Sequence, residues 1–86
     1  MALENAPKES HNSQIRKRSI LIRGHSTSVS LEQAFWGQVK LIAVRRKMSL
    51  NALVTEVDES RKTNLSSALR LLVLDELLSK SLEQGD

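Results

Sequence analysis

Two short segments in the first half of the chain have patterns typical of β-strands: the first has an apolar centre between polar ends, and the second alternates apolar and hydroxyl side chains with a period of two. The first covers residues 19–23 and the second residues 27–31. The apolar residues of the second segment have odd numbers, whereas the isoleucines of the first have even numbers. In one continuous strand, the two sets would therefore lie on opposite faces. The pattern predicts a break at Gly24-His25, either a hairpin turn that begins with glycine or a β-bulge.

The hairpin interpretation divides the side chains between two faces. A turn at residues 24–25 pairs Ile22 with Thr27 and Ile20 with Val29 on one face. The opposite face then carries a set of polar side chains: Ser19, Arg23, Ser26, Ser28 and Ser30. We therefore expect a short ribbon with one apolar face and one hydroxyl-rich face.

Apolar residues at helical spacing follow the second segment. They predict a first helix that starts near Glu32 and closes with three basic residues at 45–47, where cations favour the negative helix end. Ser49 is the expected N-cap of a second helix, and a third helix begins around residues 64–66. The apolar face of the third helix is wider than one partner helix would cover. It is expected either between two subunits or at the centre of a small monomeric core.

Size and composition limit what such a chain can be. With 86 residues and no cysteine, it is expected to bury only about 60% of its unfolded surface, without help from disulfides or thiolate-bound metal. A second copy could complete the core. We expect residues 1–15 to be a disordered arm, residues 16–82 the folded domain, and residues 83–86 a flexible tail. The longest apolar run, residues 71–74, predicts no membrane span, so a cytoplasmic protein is expected.

The net charge of +3 is distributed unevenly along the chain. Residues 1–25 carry five basic and two acidic side chains, and residues 26–49 carry four and one. From residue 50 onward, seven acidic side chains outnumber four basic ones. This division favours a polyanion on one face of the protein, although a solvated charge pattern without a ligand would give similar counts.

Several short sequence motifs, taken together, indicate a protein family more specifically than the pattern of apolar and polar residues does. An Arg-Gly-His-Ser-Thr-Ser-Val-Ser-Leu-Glu segment at residues 23–32 is followed by Phe35-Trp36, by Met-Ser-Leu-Asn at residues 48–51 and by Asn-Leu-Ser-Ser-Ala-Leu-Arg at residues 64–70. In the order strand, helix, tight turn and helix, they resemble the ribbon-helix-helix superfamily of Arc, MetJ and CopG. More narrowly, they resemble a bacterial subfamily with a third helix. The resemblance covers residues 18 to about 80.

The resemblance implies a mainly α fold with a short β-ribbon, and an intertwined homodimer that binds double-stranded DNA through the major groove. It implies a sequence-specific transcriptional regulator of the bacterial nucleoid, a repressor, with higher oligomers forming on repeated DNA sites. The outward, base-contacting positions carried over to this chain are Ser26, Ser28 and Ser30. Their inward neighbours are Thr27, Val29 and Leu31. Two departures are notable: serine stands at position 26, where the subfamily often has a basic residue, and Lys47 replaces a turn glycine.

The residue chemistry adds further candidate DNA contacts. Arg23 is predicted to form two hydrogen bonds with guanine, although an exposed charge at a strand end has the same sequence pattern. The first N–H groups of the second helix favour a phosphate, although Ser49 also fits an ordinary N-cap. The predicted phosphate contacts are Lys17, Arg18, His25, Arg46, Lys47, Ser49, Leu50 and Asn51. Trp36 is expected in the core or in a subunit interface, rather than stacked on a base.

No nucleophile, general base and orienting acid occur in a recognisable pattern, and the chain has no glycine-rich phosphate loop or metal-ligand cluster. We therefore expect no enzymatic activity, no cofactor and no metal. Two alternatives to a regulator remain open. One is a protein-interaction dimer of the same fold that lacks sequence-specific DNA binding and offers its third helix to a partner. The other is an antitoxin-like role, for which the tail after Lys80 is short.

Overall fold

Two antiparallel strands and three helices follow one another in the order that the sequence predicts. The computed structural model describes residues 12–84, so most of the predicted arm and the last two residues of the predicted tail lie outside the described part. The elements are β1 (Ile15–Ile22), β2 (His25–Glu32), α1 (Gln33–Arg45), α2 (Leu50–Ser60) and α3 (Leu65–Gln84). The predicted mainly α architecture with a short β-ribbon is therefore confirmed, and β1 starts four residues earlier than its apolar pattern indicated.

The two strands form a hairpin, which decides between the two interpretations of the parity change. The predicted position of the turn was wrong by one residue: Arg23 and Gly24 form it, with φ of 51° and 82°. Two successive residues with positive φ are typical of the type I′ turn, whose twist matches that of the strands. Ile20 consequently pairs with Thr27, and Ile22 with His25. The sequence missed this register because a glycine in second place, after arginine, is a weaker hairpin signal than asparagine-glycine.

The inner face of the hairpin supplies one side of the hydrophobic core. Directly paired residues share a face, so the apolar residues of both strands lie together although the turn is shifted. Val29 and Leu31 are buried, and Thr27 is half-buried, as predicted. The buried apolar residues of the described chain are Ile20, Ile22, Val29, Leu31, Trp36, Val39, Ile42, Ala43, Leu53, Val54, Leu69 and Val73. This core closes within one chain, with all three helices packed against the ribbon or against each other.

The connection between α1 and α2 positions the start of α2. Lys47, which stands in place of the turn glycine that the resemblance implies, has a φ of 58°, so the turn is made with backbone strain. The Met48 N–H donates to the Ala43 carbonyl at 3.0 Å and the Lys47 N–H to the Val44 carbonyl at 3.0 Å, which is the Schellman arrangement of a helix end. Partial burial of Met48 against the core accompanies these bonds.

Helix α3 packs only one side onto the core. Leu69 and Val73 are buried, whereas Leu77 and Leu78, which belong to the wide apolar face expected for this helix, are 47% and 52% exposed. The wide apolar face is therefore satisfied in part by the chain's own core. Among the side chains that the structure describes, the large apolar ones that are about half exposed or more are Ile15, Leu21, Leu41, Val44, Leu71, Leu74, Leu77 and Leu78.

Candidate nucleic-acid interface

The outer face of the hairpin is the face turned away from the core. Strand alternation and the observed register place eight side chains there: Ile15, Lys17, Ser19 and Leu21 from β1, and Ser26, Ser28, Ser30 and Glu32 from β2. The β1 members are exposed, as are Ser26 and Ser28, while Ser30 and Glu32 are half-buried. The three predicted base-contacting serines therefore lie in one row with alternate spacing, next to a second row that includes Lys17 and Ser19.

The free edge of β2 also lies beside this face. Residues that flank a two-residue turn exchange both backbone hydrogen bonds, and bonded pairs alternate along an antiparallel ladder. Because Ile22 and His25 flank the turn, the three outer serines of β2 direct their backbone groups away from β1. At the far end, the Ser66 hydroxyl donates to the Ser30 carbonyl at 2.7 Å. The backbone groups of Ser26 and Ser28 face an edge that no other described strand occupies.

Arg23 lies in the turn rather than in the row of serines, which corrects its predicted place on the outer strand face. Its guanidinium is 3.3 Å from a Glu59 carboxylate oxygen of α2, and both side chains are more than half exposed. As a turn residue, Arg23 lies at the tip of the hairpin, beside exposed His25. An exposed ion pair of this kind is weak, so the guanidinium can exchange Glu59 for a stronger anion.

Arg18 lies on the inner face, not beside Lys17 on the outer one. Its guanidinium lies over the Trp36 ring, 5.5 Å from the ring centroid, and the indole N–H of Trp36 donates to the Arg16 carbonyl at 3.0 Å. Trp36 is fully buried, so its predicted place in the core is confirmed. Arg18 thus covers the edge of the core, as long cationic side chains do when their apolar stem packs on aromatic surface.

The start of α2 has the groups of an anion site. Ser49 is the N-cap, and its hydroxyl accepts a hydrogen bond from the Ala52 N–H at 3.0 Å, which confirms the capping prediction. The first N–H groups of a helix have no acceptor within it, so those of Leu50 and Asn51 remain available to a ligand. Lys47, two residues before Ser49, is exposed. Its exposed ammonium group adds positive charge to this end of the helix.

Arg46, by contrast, is occupied by acidic side chains of the protein. One guanidinium nitrogen lies 2.6 Å from Glu76 of α3, and another lies 3.9 Å from Glu56 of α2. These contacts tie the end of α1 to both other helices. Of the two basic residues predicted beside the helix start, Lys47 is the one whose charge is not shared with a carboxylate in the described chain.

Glu32 is the acidic residue on the outer face, and it is paired. Two hydrogen bonds, of 2.9 and 3.1 Å, connect its carboxylate with the Arg70 guanidinium of α3. The hydrogen bond from Arg70 lowers the pKa of Glu32 below its ordinary value. Arg70 in turn lies over the ring of Phe35, at 5.9 Å from the centroid. The pair neutralises the negative charge that would otherwise oppose a polyanion here.

Sequence reasoning missed that residues 15–18 extend the first strand. Arg16, Lys17 and Arg18 are all basic, so these positions show no alternation of apolar and polar residues that would indicate a strand. One signal could have identified the extension: Arg18 lies two residues before Ile20 and four before Ile22, so it falls on the same strand face. Its long side chain can cover Trp36 from there. As a result, Ile15 was not identified as a member of the outer face. Leu21, which lies within the predicted strand at the parity of Ser19, was not assigned to that face either.

Among residues 12–84, no group of three or more His, Asp or Glu side chains is placed to hold a metal ion. No helix in the same part of the chain is long and apolar enough to cross a membrane.

Comparison with known proteins gives one family and one solved structure. A family model described as a ribbon-helix-helix domain matches residues 15–77. The chain is also similar in structure to an uncharacterized protein from Bordetella pertussis Tohama I, with a TM-score of 0.75 and 26% sequence identity. The similarity covers 86% of this chain but only 64% of that protein's chain. No curated protein matches the sequence significantly.

Proposed function

Because the chain belongs to the ribbon-helix-helix domain family, a fold of non-enzymatic DNA-binding regulators, we propose that it is a sequence-specific transcriptional repressor. It acts as a homodimer that reads the major groove with the outer face of its ribbon. The observation that carries the proposal is the row of Ser26, Ser28 and Ser30, directed away from the core along an unpaired strand edge. The protein works in the bacterial cytoplasm on nucleoid DNA.

The dimer forms through the free edge of β2. Two copies related by a two-fold axis at Ser28 pair antiparallel, with Ser28 opposite its equivalent and Ser26 opposite Ser30. The Ser30 carbonyl can accept a second hydrogen bond in addition to that from Ser66, because a carbonyl oxygen has two lone pairs. Pairing satisfies the backbone groups of an edge that would otherwise be prone to uncontrolled association.

Exposed leucines on α3 favour a second contact between the subunits. Leu71, Leu74 and Leu78 lie at helical spacing on one side of α3, and each is about half exposed. For so small a chain, burying this surface against a second copy adds stability that its own core does not supply.

Each dimer presents two central strands to the bases. A two-stranded ribbon fits the major groove, where each base pair displays a distinct set of donors and acceptors. The hydroxyl groups of Ser26, Ser28 and Ser30 donate or accept hydrogen bonds there, so each gives modest discrimination. Arg23 moves from Glu59 to the DNA at the ends of the ribbon and contacts a guanine or its phosphate.

Phosphate contacts orient the dimer on the duplex. The N–H groups of Leu50 and Asn51 at the start of α2 bind a phosphate, assisted by Ser49 and the charge of Lys47. Lys17 binds a second phosphate beside the ribbon, and His25 lies near the tip. Arg18 and Arg46 contribute indirectly: they stabilise the sheet and the α1–α2 connection through Trp36, Glu56 and Glu76.

Selection from a pool of random duplexes at about physiological salt tests the function. The native protein is expected to enrich a short palindromic motif, and a Ser26→Ala, Ser28→Ala double variant should lose the enrichment while remaining folded. Ser79→Ala removes an exposed hydroxyl on α3 and serves as the matched control. Affinity for the selected site should fall with salt at a slope of about −3.6, since Lys17 and Lys47 of both subunits neutralise four phosphates. No enrichment by the native protein refutes the proposal.

A cysteine pair tests the dimer separately. The chain contains no cysteine, so Ser28→Cys introduces a single thiol. Directly opposite residues of a bonded antiparallel pair have Cα atoms about 5.5 Å apart, within the range of a disulfide. Oxidation should therefore link two chains of this variant. Ser19→Cys, on β1 of the same face, should stay unlinked, and equal linking of both variants contradicts pairing through β2.

A further inference from the structure

Strand β1 doubles the area of the outer face in each subunit. The register pairs Lys17 with Ser30, Ser19 with Ser28 and Leu21 with Ser26. Every serine proposed to contact bases therefore has one β1 side chain directly beside it. A dimer through β2 consequently presents four strands, in the order β1, β2, β2 of the partner and β1 of the partner.

Strand spacing decides where β1 lies on the DNA. Neighbouring strands are about 4.8 Å apart, so the two β2 strands fit within a major groove about 12 Å wide. The two β1 strands are then about 14 Å apart, slightly more than the groove width. Their side chains meet the two edges of the groove, where the backbones lie and where the C5-methyl group of each thymine projects beside its own strand.

Leu21 is an unusual side chain for this position. It is 56% exposed and lies near the turn, next to the serines and Lys17 at the centre of the face, whereas the other apolar member, Ile15, lies at the far end beside Glu32. The helices pack on the opposite face of the sheet, where Ile20 and Ile22 are buried, so they do not cover Leu21. The thymine methyl is the apolar group that the major groove offers to such a side chain.

We propose that β1 is a second DNA-contacting strand, in which Leu21 packs against the methyl group of a thymine at the edge of the major groove. This inference rests on the proposed function and extends it to one base identity. It predicts a thymine in each half-site, next to the base pair that Ser26 contacts, because Leu21 and Ser26 are paired across the strands.

The charge of the outer face favours nucleic acid over an apolar protein surface as the occupant. Lys17 is exposed and makes no ion pair with a carboxylate in the described chain, and the carboxylate of Glu32 is neutralised by Arg70. The four serines of the face add hydroxyl groups that an apolar partner would leave unpaired. The face is thus cationic and rich in donors around a small apolar spot, which matches a groove edge with its phosphates and a methyl group.

Replacing thymine with deoxyuridine tests the contact, because the change removes the methyl group alone. In the selected duplex, each thymine of a half-site is replaced in turn, together with its symmetry equivalent. For one position, the native protein is expected to lose about fourfold affinity per methyl group, hence about 15-fold per dimer. The Leu21→Ala variant should bind the thymine and deoxyuridine duplexes equally. Leu41→Ala, which shortens a leucine of similar exposure on α1 that has no proposed role in binding, should keep the native discrimination.

The results of the selection and of the deoxyuridine replacement distinguish failure of the Leu21 contact from failure of the proposed repressor function. If native protein enriches a motif but no thymine position distinguishes it from Leu21→Ala, the proposed contact is refuted and the regulator stands. If the selection itself yields no motif, the proposed function has failed first. If Leu21→Ala alters discrimination at the thymine beside the Ser26 base pair, the second DNA-contacting strand is established.

Discussion

The two faces of the hairpin share sixteen residues and one backbone, yet they have opposite physical roles. The inner face contributes four of the buried apolar side chains, Ile20, Ile22, Val29 and Leu31. The outer face contributes no fully buried side chain. Alternation along a strand lets stability and recognition vary independently, because a substitution at one position reaches only one face.

Leu31→Ala should have the largest effect. Leu31 is fully buried, and truncation of a buried leucine costs about 2 to 5 kcal/mol of the free energy of unfolding, since a cavity remains. Urea unfolding followed by circular dichroism measures the loss. Ser30→Ala, one residue away on the outer face, should change the free energy of unfolding by less than about 0.5 kcal/mol. A large effect of Ser30→Ala would show that its face also carries the fold.

Gly24→Ala tests the turn that assigns residues to faces. A Cβ at Gly24 meets no atom within 4 Å, so the cost arises from the backbone alone, with φ at 82°. We expect a loss of about 1 to 2 kcal/mol in urea unfolding. Arg23→Asn should act in the opposite direction, because asparagine-glycine is the preferred pair of a type I′ turn. Equal stability of all three proteins would contradict the assigned turn.

Ser49 is proposed to contact DNA and also stabilises the fold as the N-cap of α2. Ser49→Ala removes the cap on the Ala52 N–H and should cost about 1 kcal/mol of stability. Ser49→Asp preserves a cap, so stability should be retained, but it adds negative charge where a phosphate is proposed to bind. Unfolding and DNA titration together separate the two roles. Native DNA affinity in Ser49→Asp would argue against the phosphate site.

Glu32 is the outer-face residue whose charge contributes to folding, and its effect should be the smallest. Because the folded pKa is lowered from its ordinary 4.5, the stabilisation is present above that value and lost as pH falls through the folded pKa. Thermal unfolding between about pH 7 and pH 3 should show a Tm difference between native protein and Glu32→Gln that shrinks below about pH 4.5. A difference independent of pH would mean that the Arg70 pair is not its cause.

Much of the fold could be predicted because period and capping are local properties of the sequence. The three helices and the Ser49 cap follow from residues within one helical turn of each other, whereas the turn at Lys47 was singled out by the resemblance alone. The exact turn could not be predicted, since moving it from residues 24–25 to residues 23–24 keeps the same apolar residues together. Because the serines of β2 stay on the outer face with either turn, their row was predicted correctly. The position of Arg23 depends on the turn and was not.

The partners of the basic residues depend on contacts between distant elements. Arg18 stacks on Trp36, and Arg46 bonds to Glu76, thirty residues away. No local pattern distinguishes these cations from Lys17, which remains exposed. The candidate site was therefore predictable as a strand face, while the distribution of charge around it required the structure.

The two-residue turn between β1 and β2 also affects the order of events in folding. Contacts between segments so close in sequence carry little loop-closure entropy, and hairpins of this kind form within about 1 to 10 μs. Half of the proposed four-stranded sheet is thus assembled at a rate independent of protein concentration. Only the joining of two hairpins is a second-order step, so a newly made subunit can complete its own core before it encounters another.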